Sequence, residues 1–238
     1  MKFGGSSLSG PAGVAYVANL ISNYKPPKQP IVIVSALQGV TDLLLEAAKP
    51  TPESYALFTN LSQLHLTIAR QLCLEPHIIE SISPLLNGLC LALPSHDSDL
   101  IVSFGERLSS ILVAGACNNQ GIKAEPISTL DLLITTKRSD RPSRILYSES
   151  RSKVVTTLEP LLRDGATPIL TGFIARTKEG EVTTLGRGGS DLTAVYIGDF
   201  LGADEVTLFK DEAGVFDADP KINPEAKLLA HLTYQEAE

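Results

Sequence analysis

Three short apolar runs constrain what this chain can fold into. They occupy residues 30–35 (PIVIVS), 167–171 (TPILT) and 205–209 (EVTLF), and longer segments with helical periodicity separate them. A continuous apolar run of this length is typical of a strand that is buried on both faces, as in a parallel sheet covered by helices. The alternation of such strands with helices predicts an α/β sandwich with a mostly parallel sheet.

Helices are predicted from apolar spacing and from the positions of proline and glycine. A proline disfavours helix in the residue before it, so the Glu75-Pro76 pair divides residues 53–93 into two helices. A hairpin is predicted over residues 173–185, and the polar, basic stretch 135–150 is predicted to be a surface loop. The other predicted helices are residues 11–24, 98–120, 154–163 and 190–201.

The composition argues against several classes of protein. The net charge is −7, whereas a nucleic-acid partner requires a basic face, so we expect no nucleic-acid partner. We expect no membrane partner, because no apolar stretch approaches the ~18–20 residues of a membrane span. No secretory signal is recognisable, which predicts a cytoplasmic globular protein. The three cysteines, Cys73, Cys90 and Cys117, form no CxxC pair, so we expect buried thiols rather than disulfides or a zinc site.

The first glycine-rich segment, KFGGSS at residues 2–7, has the features of an anion site. Backbone N–H groups of a turn at Gly4 and Gly5, close to a helix N-terminus, attract anions, and Lys2 would add a point charge. The segment is not a Walker loop, because no Gly-Lys pair occurs in the chain. The alternative is a tight turn that simply requires glycine. Only Met1 precedes the segment, so we expect almost no strand before it and a poorly fixed Lys2.

The second segment, SALQGVTD at residues 35–42, directly follows the first apolar run. Ligands of α/β proteins bind beyond the carboxyl ends of strands, and Thr41 offers a hydroxyl there. The alternative is an ordinary strand-to-helix loop.

The third segment, SFGERLSS at residues 103–110, lies inside a predicted helix. Glycine costs ~1 kcal/mol against alanine in a helix interior, so we expect another element to approach Gly105 closely. Glu106 and Arg107 are adjacent and therefore point to different faces without pairing with each other. The alternative for these two residues is a solvated charge pair.

The fourth segment is GRGGSD at residues 186–191. Its three glycines permit positive φ and close approach. Ser190 is a good N-cap and Asp191 suits the first turn of a helix, so capping alone could explain both. Packing does not explain Arg187, whose planar guanidinium suits a carboxylate or a phosphate.

The fifth segment, KDEAGVFDADPK at residues 210–221, follows the third apolar run. Asp211, Gly214 and the Asp219-Pro220 pair are typical turn residues, and the alternative is an acidic surface loop. The histidines are scattered without HExxH spacing, so no metal site built from protein side chains is predicted.

Taken together and in this order, the five segments resemble aspartate kinases, members of the amino acid kinase family. The family's Gly-Arg-Gly-Gly-Ser-Asp string matches residues 186–191 without a change, and its Gly-Val-(Tyr/Phe)-x-x-Asp-Pro string is similar to residues 214–220. The resemblance implies a three-layer α/β/α sandwich that transfers a phosphoryl group from ATP, bound with Mg²⁺, to the side-chain carboxylate of L-aspartate. This is the first step towards lysine, threonine and methionine.

The resemblance also implies roles for individual residues. Lys2 would stabilise charge on the transferring phosphoryl group, and Asp191 would orient the groups around it. Glu106 would bind the ammonium of aspartate and Arg187 its carboxylate. The other implied substrate-binding residues are Thr41, Gly188, Gly189 and Ser190. The implied nucleotide-binding residues are Lys2, Gly4, Gly5, Ser6, Lys210, Asp211, Phe216, Asp219 and Lys221.

Three residues depart from the family pattern. Lys210 stands where Thr is common, Phe216 replaces Tyr, and Lys221 replaces Arg. We expect one domain, truncated at both ends, with an aspartate-binding half over about residues 1–165 and a partial nucleotide-binding half over about 166–238. The regulatory domains and homodimer contacts of the family would then lie outside this chain, which is expected to be weakly active or inactive alone.

Other readings of the five segments are a sister kinase acting on acetylglutamate, glutamate or a nucleoside monophosphate, and a non-catalytic amino-acid-binding module. A dinucleotide-binding fold is disfavoured, because the glycine-rich loop at residues 186–191 follows a hairpin and lacks the third glycine of that motif.

Overall fold

A computed structural model describes residues 1–24, 29–136, 143–211, 214–220 and 222–233. The strands are β1 Lys2–Phe3, β2 Val32–Val34, β3 Ala124–Ile127, β4 Ile134–Thr135, β5 Thr167–Thr171, β6 Ile174–Thr177, β7 Val182–Thr184 and β8 Leu208–Phe209. The helices are α1 Gly10–Asn23, α2 Val40–Ala47, α3 Ser54–Gln71, α4 Pro76–Ala92, α5 Ser98–Asn118, α6 Tyr147–Arg163 and α7 Gly189–Leu201.

The central sheet has five parallel strands in the order β3-β5-β2-β1-β8. A smaller sheet, β4-β6-β7, contains the predicted hairpin as the antiparallel pair β6–β7. Side chains of β2 alternate between two apolar clusters: Val32 and Val34 pack with α1 to α5, and Ile33 packs with α6 and α7. Both faces of the sheet are therefore covered by helices, and the predicted three-layer sandwich is confirmed.

Most predicted helices are confirmed within a few residues, and the break at Pro76 lies where α4 begins. The loop predicted over 135–150 is wrong at both ends: β4 includes Thr135, and α6 begins at Tyr147, while residues 137–142 lie outside the described residues. Distant contacts explain the early start of α6. The Tyr147 ring packs edge-on against Phe200, and the Ser150 hydroxyl accepts from the backbone N–H of Ile134 at 2.9 Å.

The first and last strands also differ from the prediction. β1 lies between β2 and β8 rather than being absent, because Lys2 N–H donates to the Thr207 carbonyl at 2.8 Å and Ile33 N–H donates to the Met1 carbonyl at 2.9 Å. The run at residues 205–209 gives only a two-residue strand at the sheet edge, with Leu208 40% exposed. A strand with one neighbour has less cover, so the prediction of a third buried strand was wrong.

The expectations about cysteines and apolar length need correction. Only Cys117 is buried; Cys90 is half-buried and Cys73 is exposed. Two described helices, Pro76–Ser95 and Ser98–Asn118, are long and apolar enough to cross a membrane by length and composition. The second is 89% buried within the protein, as the central helix of a globular domain would be.

Candidate functional site

The candidate site lies at the carboxyl ends of the parallel strands, around the N-terminus of α7. Gly4, Ser35, Gly172 and Lys210 each follow a strand of the central sheet, β1, β2, β5 and β8 respectively. Loops at this edge of a parallel sheet are the usual ligand-binding position in α/β proteins. The first, second and fifth glycine-rich segments therefore follow strands of this sheet, the fourth forms the N-terminus of α7, and the third contributes from α5.

Two lysines flank one carboxylate at the centre of the site. The Lys2 Nζ lies 2.7 Å from Asp191 Oδ1, an ion pair whose angles are not those of a hydrogen bond, and Lys210 Nζ donates to Asp191 Oδ2 at 2.8 Å. Burial raises the pKa of Asp191, but the ammonium groups of Lys2 and Lys210 outweigh it and hold the pKa below its usual value. Lys2 is buried and paired, so the expectation that it would be poorly fixed was wrong.

The Gly4-Gly5 turn brings backbone close to both Lys2 and the loop after β2. A Cβ at Gly4 would lie 3.5 Å from Lys2 Nζ, and a Cβ at Gly5 would lie 3.2 Å from the Ala36 carbonyl oxygen. Ser6 begins a short 3₁₀ helix, Ser6–Leu8, directly after the turn. The Lys2 ammonium therefore lies over a glycine turn, the arrangement predicted for an anion site.

Glu106 is a buried carboxyl group beneath the loop after β2. Glu106 is only 3% exposed, and its Oε1 accepts a hydrogen bond from the Ala36 N–H at 3.2 Å. Oε2 is buried and has no hydrogen-bond partner among the described residues. Burial raises the pKa of Glu106 to about 8, although hydrogen bonds from the backbone N–H groups of Ala36 and Glu106 oppose the shift. The alternative of a solvated charge pair is therefore wrong for Glu106.

Neighbouring residues of α5 explain how Glu106 is held. A Cβ at Gly105 would lie 2.9 Å from the Ala36 Cβ and 3.1 Å from Leu44 Cδ1, so the predicted close approach is confirmed. Arg107 points away from Glu106, with its guanidinium 4.6 Å from the centre of the Phe104 ring. Burial and the nearby Arg176 lower the pKa of Arg107, and Asp131 opposes this. The missing Cβ of glycine thus allows the loop after β2 to rest on the helix that carries Glu106.

A chain of hydroxyl groups links α5 to α7 through the loop after β2. Ser109 Oγ donates to the Ser35 carbonyl at 2.7 Å, and Ser35 Oγ donates to Ser190 Oγ at 3.0 Å. A Cβ at Gly172 would lie 2.6 Å from both side-chain atoms of Ser190, so only glycine fits there. The sequence reasoning missed Ser35, Ser109 and Gly172. Their position directly after a buried strand, or one helical turn from Glu106, was the available signal.

The loop at residues 186–191 turns as predicted but caps its helix differently. Gly186 and Gly188 have φ of +76° and +72°, and a Cβ at Gly189 would lie 2.8 Å from Phe173 Cδ2. The N-cap of α7 is Gly188, not Ser190, and no side chain caps this end. Ser190 lies inside the helix, and its hydroxyl accepts a hydrogen bond from Ser35 instead of capping the helix. Asp191 is in the first turn, as predicted.

The remaining predicted site residues are less tightly bound to this cluster. Arg187 is exposed and makes no hydrogen bond or ion pair in the described part of the chain, and Thr41 is half-buried in the first turn of α2. Asp211 and Asp219 are exposed, and Phe216 pairs with Leu228 in an isolated β-bridge. Lys221 lies outside the described residues. Among the predicted nucleotide contacts after β8 that the structure describes, only Lys210 reaches the central carboxylate.

The chain is similar to known proteins over its whole length. A model of the amino acid kinase family matches residues 1–238. The chain is 34% identical over 251 residues to chloroplastic aspartokinase 1 of Arabidopsis thaliana, covering 100% of this chain and 44% of that protein. It is 31% identical over 239 residues to the aspartokinase of Chlamydia muridarum, covering 99% of this chain and 53% of that protein. The chain thus spans about half the length of these relatives.

Solved structures agree with these similarities. Aspartokinase III of Escherichia coli in complex with aspartate and ADP superposes with a TM-score of 0.87 at 26% identity, over 96% of this chain and 52% of that chain. The same enzyme with lysine and aspartate gives a TM-score of 0.84 at 27% identity, over the same fractions. Isopentenyl phosphate kinase, at 15% identity and a TM-score of 0.57 over 96% of this chain and 79% of that chain, shares the fold alone.

Proposed function

The chain belongs to the amino acid kinase family, and from this premise we propose that it carries the phosphoryl-transfer site of an aspartate kinase. The substrates would be ATP and L-aspartate, and the product 4-phospho-L-aspartate. The observation that carries the proposal is the Lys2–Asp191–Lys210 cluster at the carboxyl ends of parallel strands. The loop after β2 connects this cluster to the buried carboxyl of Glu106, because Ser35 contacts Ser190 and Ala36 N–H donates to Glu106. Similarity to aspartokinases over the whole chain supports the choice of substrate.

The reaction needs charge neutralisation and positioning rather than a protein nucleophile. A carboxylate oxygen of aspartate attacks the γ-phosphorus of ATP, a new O–P bond forms, and the bond from that phosphorus to the β–γ bridging oxygen breaks. The bridging oxygen leaves with the electron pair as part of ADP, so no proton has to be removed from the nucleophile. Such a transfer is accelerated by alignment and by cations near the phosphoryl oxygens, which is the part assigned to Lys2.

Glu106 and Arg187 would recognise the two charged groups of the amino acid backbone. The unpartnered Oε2 of Glu106 offers an acceptor to the substrate ammonium, and this cation would favour the ionised carboxylate. The exposed guanidinium of Arg187 is suited to a bidentate contact with the α-carboxylate. Thr41, Ser190 and the backbone of Gly188 and Gly189 would complete the aspartate subsite.

The nucleotide would bind between the Gly4-Gly5-Ser6 turn and the segment after β8. Asp211, Phe216, Asp219 and Lys221 belong to that segment and are its proposed contacts. Mg²⁺ in such sites is bound mainly by phosphate oxygens, water and one or two carboxylates, so it would arrive with ATP. Asp211 is an exposed carboxylate that fits this donor set, whereas both oxygens of Asp191 contact lysines. When bound, the ion would neutralise charge on the phosphates.

The wider biological setting follows from the proposed product. We place the reaction at the first step towards lysine, threonine and methionine, and we place the protein in the cytoplasm. We assign aspartate binding mainly to residues 1–165 and nucleotide binding mainly to 166–238, with Arg187 and Ser190 reaching back across that boundary. Homodimerisation is part of the same proposal, and no residue of this chain is assigned to it.

An ATP-dependent hydroxamate assay tests the proposal directly. L-Aspartate should give hydroxamate, at a low rate when the 238-residue chain is tested alone, whereas L-glutamate and N-acetyl-L-glutamate should give none. Glu106→Ala should abolish the signal, and Glu80→Ala, which changes an exposed residue of α4, should leave it unchanged. Turnover of glutamate or acetylglutamate in place of aspartate would indicate another kinase of the same family. Aspartate binding in calorimetry without any ATP binding would indicate a non-catalytic amino-acid-binding module.

A further inference from the structure

One feature of the transfer centre is not accounted for by aspartate and nucleotide recognition alone. Asp191 carries one negative charge, and each of its two oxygens contacts a different ammonium group, from Lys2 on β1 and from Lys210 after β8. The lowered pKa of Asp191 keeps it ionised, so the three side chains together carry a net charge of +1. Asp211, the next carboxylate after Lys210, makes no ion pair with either lysine among the described residues.

Stability does not explain the second lysine. The Lys210 side chain is 49% exposed, whereas that of Lys2 is 9% exposed. Ion pairs with an exposed partner contribute only about 0–1 kcal/mol, and Lys2 already neutralises the carboxylate. The N-terminus of α7, which carries Asp191, adds further positive potential at the same point. The arrangement holds an excess of positive charge at the open end of the site.

We propose that Lys210, which stands where the family pattern has Thr, is a catalytic residue: its ammonium, held by Asp191 beside Lys2, contacts the transferring γ-phosphoryl group. This rests on the proposed kinase function. While the bond from aspartate oxygen to phosphorus forms and the bond to the bridging oxygen breaks, the phosphoryl oxygens carry negative charge that two cations neutralise better than one. Both electrons of the broken bond remain on ADP.

Comparison of ATP and ADP binding separates this role from a structural one. A contact to the γ-phosphoryl group is present with ATP and absent with ADP. Calorimetry on the 238-residue chain, without aspartate so that ATP is not consumed, should therefore show that Lys210→Met weakens ATP binding about 10- to 100-fold more than ADP binding. Lys210→Arg should restore most of the preference for ATP. Lys153→Met, an exposed site on α6, should change neither affinity.

The same measurements can overturn the proposal. If Lys210→Met lowers both affinities by one factor, or leaves both unchanged, Lys210 is only a partner of Asp191. Thermal unfolding of each variant checks that the fold is retained, and Lys210→Thr provides a second neutral substitution if methionine perturbs the edge strand. An unaltered chain that fails to bind ATP would overturn the kinase proposal and this one together. If the unaltered chain binds ATP and the Lys210→Met variant has the same preference for ATP over ADP, only the role of Lys210 is overturned.

Discussion

Glu106→Gln should stabilise the protein while removing its affinity for aspartate. The folded state buries this carboxyl with Oε2 unpartnered, which raises its pKa from 4.5 to about 8. In the unfolded chain the group ionises near its ordinary pKa. Glutamine has nearly the shape of a protonated glutamate and keeps an oxygen for the Ala36 N–H. Because glutamine has no proton to lose, folding does not require it to be held in a protonated form that the unfolded chain would give up.

The sign and size of the effect follow from proton linkage. Between pH 4.5 and 8 the folded state binds one more proton at Glu106 than the unfolded state does, so its free energy of unfolding falls as pH rises. The favourable contribution is complete below the unfolded pKa and is lost by the time pH reaches the folded pKa. The slope is about 1.4 kcal/mol per pH unit. At pH 7 the accumulated cost is therefore on the order of 3 kcal/mol.

Urea unfolding at pH 5, 6 and 7 measures the effect. The difference in free energy of unfolding between Glu106→Gln and the unaltered protein should grow by about 1.4 kcal/mol for each unit of pH. Glu80→Gln on the exposed side of α4 should follow the unaltered protein throughout. Parallel curves for Glu106→Gln and the unaltered protein would refute the buried, protonated carboxyl on which the reasoning depends.

Four further predictions concern the same site. Because aspartate binding would require ionised Glu106, the affinity of the protein for aspartate should rise with pH up to about 8. Calorimetry in buffers of different ionisation enthalpy should show that aspartate binding releases a proton, and an affinity that does not change with pH would contradict this. Arg187→Lys should weaken aspartate binding at least about tenfold while ATP binding changes little, and equal losses would exclude a carboxylate contact. Gly172→Ala should lower the free energy of unfolding by about 1–3 kcal/mol in urea, because its Cβ would lie 2.6 Å from Ser190; an unchanged midpoint would be inconsistent with that packing. Ser35→Ala removes the donor to Ser190 Oγ and should weaken aspartate binding roughly fivefold, whereas Ser152→Ala on α6 should not.

Much of this architecture was predictable because its signals are local. The apolar run at residues 30–35 identified β2, and the order of the five glycine-rich segments brought Lys2, Glu106 and Asp191 into one hypothesis before any coordinates. Parallel strands carry their carboxyl ends to one edge, so segments that directly follow strands meet in space.

The features that escaped prediction depend on distant partners. Ser190 has the sequence of an N-cap, yet its hydroxyl is engaged by Ser35, 155 residues away. β1 is two residues long and becomes a central strand only because β2 and β8 pair with it from both sides. The first turn of α6 looks like a polar loop until Tyr147 packs on Phe200. Periodicity within one segment carries no information about such contacts.

Because β8 lies at the edge of the sheet, Lys210 is held less firmly in place than Lys2. Lys2 belongs to a strand with neighbours on both sides, whereas Lys210 follows a two-residue strand paired only with β1 in the described sheet. Opening of β8 would break its hydrogen bonds to β1 and the stacking of Phe209 on Phe3, whose ring centres are 4.5 Å apart. Most of the hydrophobic core would remain packed. Segments with few buried contacts and exposed backbone hydrogen bonds open at a lower free energy than the core. A local opening of β8 that leaves the sandwich folded would thus lower the net charge of the Lys2–Asp191–Lys210 cluster from +1 to zero.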